Sequence, residues 1–210
     1  MRHAPAATRH LVVFTRYPVP GRCKTRLIPV LGAEGAARLH RRMTEQTLER
    51  ARAIADFALT IEVHYAGADD RAMRRWLGSG HQYRPQSTGD LGQRMLTTFE
   101  QAASRGSSST VIIGSDIPQL SAEVISEAFT RLERHPLVLG PSHDGGYYLI
   151  GLRHPRRELF RRIPWSTDTV LQRTIERARK AGLGFDLLPA LGDVDRPADL
   201  HLVRHLLDSK

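Results

Sequence analysis

Leu11-Val12-Val13-Phe14-Thr15-Arg16-Tyr17-Pro18-Val19-Pro20-Gly21-Arg22-Cys23-Lys24-Thr25-Arg26-Leu27 is the stretch on which the reading of this chain turns. The apolar run Leu11–Phe14 predicts a strand, and that strand feeds a cationic loop. Pro18 and Pro20 fix φ and disfavour helix before them, while Gly21 lets the backbone turn sharply. Lys24, Thr25 and Arg26 are therefore expected at the carboxyl end of the strand, where open α/β sheets bind anionic ligands. Of the 31 Lys and Arg residues, only Lys24, Lys180 and Lys210 are lysine. A compact ammonium suits a phosphate oxygen as a point charge. Pro20, Gly21, Lys24, Thr25 and Arg26 thus read as a phosphate-binding loop, the plainer alternative being a solvated basic turn.

The loop is neither of the two familiar glycine-rich nucleotide loops. A Walker A loop carries a glycine ahead of its final Gly-Lys-Ser/Thr, and a Rossmann fingerprint carries three spaced glycines. Here one glycine lies three residues before the lysine, which argues against P-loop ATPases and NAD enzymes.

A chain of 210 residues with 40% hydrophobic and 25% charged residues can bury one good core. A single domain is expected over residues 10–210, behind a flexible N-terminus at 1–9. No apolar run approaches the roughly 18 residues of a membrane span, and no signal-peptide pattern is visible. The one cysteine, Cys23, has no partner for an internal disulfide, which fits a reducing, cytoplasmic setting. Arg22 and Lys24 beside it are expected to acidify its thiol somewhat without making it catalytic. The net charge of +9 attracts polyanions in general. Its arginines, however, are scattered without interleaved aromatics or any nucleic-acid-binding signature, which argues against nucleic acid as the partner.

Beyond the loop, residues 33–55 predict a long amphipathic helix, with Ala37, Leu39, Met43, Thr47, Leu48 and Ala51 near helical spacing. Further helices are predicted at 69–77, 91–103, 121–134 (Ser121 as N-cap), 167–181 and 197–207. Strands are predicted at 58–65, 81–84, 110–113, 137–140, 146–152 and 184–187, with a Ser-rich linker at 104–109. Alternating strands and helices argue for a mostly parallel sheet wrapped by helices.

The buried strand Thr110–Ile113 ends in Gly114-Ser115-Asp116, so the Asp116 carboxylate is expected at the same sheet edge as Lys24. Asp116 reads either as a turn cap or as a hard oxygen ligand for Mg²⁺ or Mn²⁺, ions that bridge a diphosphate to one or two carboxylates. Asp144-Gly145-Gly146 lies between two apolar strands and makes a good hairpin turn. The functional alternative is that the paired glycines let a substrate approach the backbone, with Asp144 facing the cleft. In Pro164-Trp165-Ser166-Thr167, Ser166 or Thr167 reads as a helix cap, and Trp165 either stacks on a sugar or fills the core. Asp193-Val194-Asp195 places two carboxylates before the last helix, of which capping explains one.

These stretches also carry a family resemblance. Phe14–Leu27, Gly89–Met95 (Gly-Asp-Leu-Gly-Gln-Arg-Met), Gly114–Pro118, Gly140–Gly151, Pro164–Thr167 and Asp193–Asp195 resemble, in order and over nearly the whole chain, a bacterial glycosyltransferase-like family. That family was once filed as a domain of unknown function, and some members are labelled arsenosugar-biosynthesis glycosyltransferases. It is similar to the GT-A nucleotide-diphospho-sugar transferases and more distantly to the guanylyltransferases of molybdenum-cofactor synthesis. Two positions depart from it: Arg16, where many members carry Lys, and Gln93, where an acidic residue is common.

The resemblance implies a single-domain α/β, GT-A-like Rossmannoid fold with a mostly parallel central sheet flanked by helices. It implies a nucleoside diphosphate sugar as ligand, Mg²⁺ or Mn²⁺ as cofactor, and Asp116 in the place of the metal-binding aspartate. Residue chemistry fits, because a departing nucleoside diphosphate needs a metal ion and nearby cations to stabilise its charge. Lys24 and Arg26 are then phosphate contacts, in a loop with Pro20, Gly21, Thr25 and Ser115. Asp195 is a second metal ligand and catalytic residue, and Asp144 orients the sugar or takes the proton of a small-molecule acceptor. Asp144, Gly145, Gly146, Trp165 and Ser166 form the sugar and acceptor pocket. A nucleotidylyltransferase would use the same loop and aspartate, but would bind a nucleoside triphosphate and release pyrophosphate. A degenerate nucleotide-binding protein on the same fold is the non-enzymatic alternative. The acceptor, sugar, nucleobase and oligomeric state stay open.

Overall fold

The computed structural model describes residues 8–54, 56 and 58–207. It is built around seven strands: β1 (Thr8–Arg16), β2 (Leu59–Ala66), β3 (Gln82–Pro85), β4 (Ser107–Ile113), β5 (Leu137–Pro141), β6 (Tyr147–Leu152) and β7 (Phe185–Leu187). They form one sheet in the order β3-β2-β1-β4-β6-β5-β7. Every neighbouring pair is parallel except those of β6, which runs antiparallel to both β4 and β5. The helices are α1 (Ile28–Arg52), α2 (Asp70–Leu77), α3 (Leu91–Ser104), α4 (Ala122–Leu132), α5 (Val170–Lys180) and α6 (Arg204–Leu207).

The central strand explains the layers. Leu11 and Val13 belong to one core with Leu48 and Ala51 of α1, Met73 of α2, and Ile125 and Phe129 of α4. Val12 belongs to the other, with Met95 and Phe99 of α3 and Ala178 of α5. Because helices cover both faces, the apolar run of β1 is unbroken rather than alternating. A third cluster joins Leu27, Leu39 and Met43 to Val194 and Val203 of the C-terminal segment.

Most element boundaries agree with the sequence reading to within a few residues, and the exceptions have local causes. Thr8 and Arg9, expected in the flexible N-terminus, are strand, and Arg9 is held by Asp56 at 3.0 Å and Glu133 at 2.7 Å. Residues 1–7, Ala55 and Lys210 lie outside the described residues. Half of the expected Ser-rich linker is strand, because the Ser107 and Ser108 hydroxyls donate to the Thr8 carbonyl and tie the polar start of β4 to β1. Gly32 (φ 68°, ψ 168°) kinks α1, so its regular part starts at residue 33, and all six predicted core positions are buried. α5 starts at Val170 rather than 167, since Thr167 turns its hydroxyl to the Pro164 carbonyl at 2.7 Å. The last predicted helix is 3-10 from Pro197 to Val203 before four α-helical residues. Ser121 caps α4 as expected, accepting from the Val124 amide at 3.4 Å.

β2 carries a buried charge that the apolar pattern does not announce. Glu62 is 0% exposed and takes hydrogen bonds from His64 at 3.0 Å, Arg84 at 3.0 Å and Arg105 at 2.9 Å, with His10 at 3.6 Å.

Candidate active site

The order of the sheet reverses between β1 and β4, the point at which open α/β sheets form a ligand crevice. The two strands are parallel and in register from His10 with Thr110 to Val13 with Ile113, so the chain segments beyond their carboxyl ends emerge side by side. After β1, Gly21 takes φ 77° and the Arg22 amide bonds the Val19 carbonyl at 3.0 Å, closing the turn. Lys24 then adopts φ 46°, ψ 44°, left-handed backbone that non-glycine residues seldom take. Such strain persists only where the surroundings impose it, and it clusters at ligand sites. The Lys24 side chain, 8% exposed, donates from Nζ to Asp116 Oδ2 at 2.9 Å. Burial raises the Asp116 pKa, but the Lys24 ammonium and its hydrogen bond outweigh it and hold the carboxyl below its ordinary value.

Other members of the expected loop fare differently. Pro20, Gly21, Thr25 and Arg26 are exposed around Lys24. Arg26 is ion-paired with Asp195. Ser115 is 4% exposed and donates its hydroxyl to Thr15 Oγ1 at 3.1 Å, which in turn meets Thr44 Oγ1 at 3.1 Å. Its side chain thus ties β4 to β1 and α1 instead of reaching a phosphate. The acidified thiol expected at Cys23 is also corrected. Cys23 is buried against the Val19 carbonyl, and burial pushes its pKa up despite Arg16 and Lys24.

A cavity of about 200 Å³ opens beside this loop, and Asp116, Asp144, Asp193, Tyr147, Trp165 and Ser166 all line it. Asp193 is the residue that the sequence reading passed over in favour of Asp195. The Val194 amide bonds the Asp116 carbonyl at 3.0 Å, and Val194 itself is 0% exposed in the third cluster. That anchor swings Asp193 into the cavity and leaves Asp195 with Arg26, so Asp195 is not the second carboxylate beside Asp116. Burial, then the charges of Asp144 and Asp116, push the Asp193 pKa up to about 6. Among the described residues no three Asp, Glu, His or Cys side chains come close enough to hold a metal ion by themselves.

The paired glycines serve the chain itself. Gly145 (φ 87°) faces the Asp168 carbonyl, which any Cβ there would overlap. A Cβ on Gly146 would stand 3.1 Å from Asp144 Oδ1. Asp144 Oδ1 accepts from the Gly146 amide at 2.9 Å and from the Ser142 hydroxyl, so the hairpin presets the carboxylate instead of opening its backbone to a substrate. Trp165 rests on Gly92 at the start of α3, where a Cβ would collide with the indole. Ser166 has φ 66° and neither it nor Thr167 caps α5, whose N-cap is Thr169 with no side-chain bond. Gln93 closes a capping box with Asp90 (2.8 and 2.9 Å), a duty that both Gln and Glu perform.

Gly92→Ala is expected to destabilise the protein by about 1–3 kcal/mol, the usual cost of overpacking, and to shift Trp165 emission when Trp76, the other tryptophan, is replaced by Phe. Unchanged emission and denaturation midpoint would show that the indole is not seated there.

Residues 47–167 match the family described as an uncharacterized protein conserved in bacteria (DUF2064). A crystal structure of a provisionally assigned nucleotide-diphospho-sugar transferase from Desulfovibrio desulfuricans is similar with a TM-score of 0.87 and 33% identity, over 97% of this chain and 90% of that one. A phosphoenolpyruvate guanylyltransferase from Chloroflexus aggregans is 25% identical over 134 residues, 63% of this chain and just under two thirds (66%) of that relative. The fold also matches glucosyl-3-phosphoglycerate synthase from Mycobacterium tuberculosis, crystallised with Mn²⁺, uridine diphosphate and glucosyl-3-phosphoglycerate, at a TM-score of 0.57 and 14% identity over 96% and 78% of the two chains. The α/β fold is that of the nucleotide-diphospho-sugar transferases. None of its described helices is long and apolar enough to cross a membrane.

Proposed function

The chain belongs to this DUF2064 family, and from that premise we propose that it transfers a sugar from a nucleoside diphosphate sugar to an acceptor, with Mg²⁺ or Mn²⁺. The observation that carries the proposal is the meeting of Asp116, Asp144 and Asp193 with Trp165 on one cavity beside the strained lysine loop. Among the described residues Lys24 is the only cation paired with any of the three carboxylates. The surplus of negative charge, felt at Asp193, fits a divalent cation. Asp116 and Asp193 would hold it, and a pair of carboxylates suits Mg²⁺. The crystallised complex of the mycobacterial synthase with Mn²⁺ and uridine diphosphate supports the same choice of cofactor.

An ion held there would supply charge neutralisation for the departing diphosphate. Lys24 adds to it by exchanging an Asp116 oxygen for a phosphate oxygen, and Arg26 stands at the outer side of the loop. Trp165 offers an aromatic face to the sugar ring. The acceptor oxygen bonds to the anomeric carbon as the bond to the diphosphate breaks. The acceptor proton passes to Asp144, whose Oδ1 is already engaged by Ser142 and Gly146 and whose Oδ2 faces no internal donor among the described residues. Lys24→Ala is expected to weaken nucleotide binding by about 1.5–3 kcal/mol, the scale of a hydrogen bond to a charged group. Equal affinity by titration calorimetry would reduce Lys24 to a structural partner of Asp116.

The guanylyltransferase relative favours a second reading, in which the same loop holds a nucleoside triphosphate and pyrophosphate leaves. A thermal-shift panel separates the ligands, because a ligand present at 100 times its Kd stabilises by about 2.7 kcal/mol. A glycosyltransferase is expected to respond most to diphosphate sugars with Mn²⁺. A response to triphosphates alone would favour the second reading.

A further inference from the structure

We propose that the acceptor admitted to this cavity carries no phosphate or carboxylate and is an uncharged or amine-bearing polyhydroxyl compound. The proposal rests on the transferase reading for the role of the cavity, but its physical basis is the charge of the wall. The chain has 31 Lys and Arg residues and a net charge of +9, yet among the described residues lining the cavity there are three Asp and no Lys, Arg or His. Two cations of the adjoining loop are each paired with a carboxylate, Lys24 with Asp116 at 2.9 Å and Arg26 with Asp195. His143, next to Asp144 in sequence, lies outside the lining, with its ring beside Gly192.

Asp144 and Asp193 therefore both face the cavity, and among the described residues no Lys or Arg is ion-paired with either. A carboxylate accepts hydrogen bonds from hydroxyl or ammonium groups, whereas an anionic ligand has to be brought against like charge in a partly enclosed space, which rejects it. The other polar side chains of the wall are neutral: those of Ser142, Tyr147, Tyr148, Ser166 and Thr167. Trp165 presents an aromatic ring, which suits the apolar face of a sugar and attracts a cation, not an anion. Metal binding at Asp116 and Asp193 does not reverse this, because the donor diphosphate brings its own negative charge and Asp144 remains.

The test is saturation-transfer NMR on matched pairs, glycerol with glycerol 3-phosphate and glucose with glucose 6-phosphate, in Mg²⁺ with and without uridine diphosphate. It compares the wild type with Asp144→Asn and with the double variant Asp144→Asn/Asp193→Asn. The wild type is expected to leave both phosphorylated compounds unsaturated, and the variants to gain at least tenfold in affinity for them. The single variant changes an exposed residue and keeps the experiment decisive if the double variant does not fold. Wild-type binding of either phosphorylated compound as tight as its unphosphorylated partner, or variants that gain nothing for them, would overturn the proposal. Failure of every nucleotide in the thermal-shift panel to bind would overturn the transferase reading instead, and leaves the comparison made without uridine diphosphate intact.

Discussion

Asp116→Asn is expected to cut turnover of a nucleoside diphosphate sugar by about 10²–10³-fold, the loss typical of removing one group that stabilises transition-state charge. Asp116 stands at the end of β4, bonded to Lys24 and lining the cavity. Asn keeps an oxygen for Lys24 Nζ and the same shape, so the fold should survive. It removes the anionic charge that would hold a divalent cation and that now keeps Lys24 in place. The melting temperature is expected to fall by only a few degrees, at about 2–4 °C per kcal/mol for a chain of this size. Kinetics at varied Mn²⁺ concentration together with thermal melts check both halves. A variant with an undiminished rate and the wild-type Mn²⁺ requirement would remove Asp116 from the site.

Glu62→Gln is expected to produce the largest loss of stability, about 3 kcal/mol, at the lower end of the 3–5 kcal/mol seen when one partner of a buried ion pair is deleted. The lower end applies because Arg84 and Arg105 are 38% and 28% exposed and can turn partly to water. His10 and His64 cannot, since both are buried. Gln also brings an amide NH₂ against the Arg84 and Arg105 guanidiniums, which offer no acceptor. Burial alone would raise the Glu62 pKa, but hydrogen bonds from His10 and His64 and the charges of Arg105 and Arg84 carry it well below its ordinary 4.5. A carboxylate with a depressed folded-state pKa contributes stability above its unfolded value and loses it as pH falls toward the folded one. The wild type should therefore lose stability below about pH 4.5, and the variant should show a flatter acid limb in denaturant melts. Parallel acid limbs would mean that the network contributes nothing.

The half of the fold that carries the lysine loop is legible in the sequence because its signals are local. The unbroken apolar run of β1, the Pro-Val-Pro-Gly turn and the Gly-Ser-Asp ending of β4 each state a strand end, and two parallel neighbours must then place Lys24 beside Asp116. The Asp-Val-Asp segment is different. Its two carboxylates are equivalent in sequence, and the choice of Asp193 for the cavity is made by Val194, which packs onto Leu27, Leu39 and Met43 far away in the chain. The glycines at 145 and 146 advertise space without saying what fills it, and it is filled by the Asp168 backbone and the Asp144 carboxylate. The serines of β4 lack the β-branched or aromatic side chains enriched in strands, so their strand exists through pairing with β1, which no local pattern encodes. Asp90 and Gln93, by contrast, already had capping-box spacing, and that signal was available.

The most direct measurement is phosphorus NMR of the wild-type protein with Mg²⁺, offered a panel of nucleoside diphosphate sugars and, separately, the matching nucleoside triphosphates. Glycosyl transfer, or slow transfer to water, predicts growth of a nucleoside diphosphate signal from at least one sugar donor, strongly reduced by Asp193→Asn and much less affected by Asp195→Asn. Pyrophosphate appearing from a triphosphate while every diphosphate sugar stays intact would contradict it.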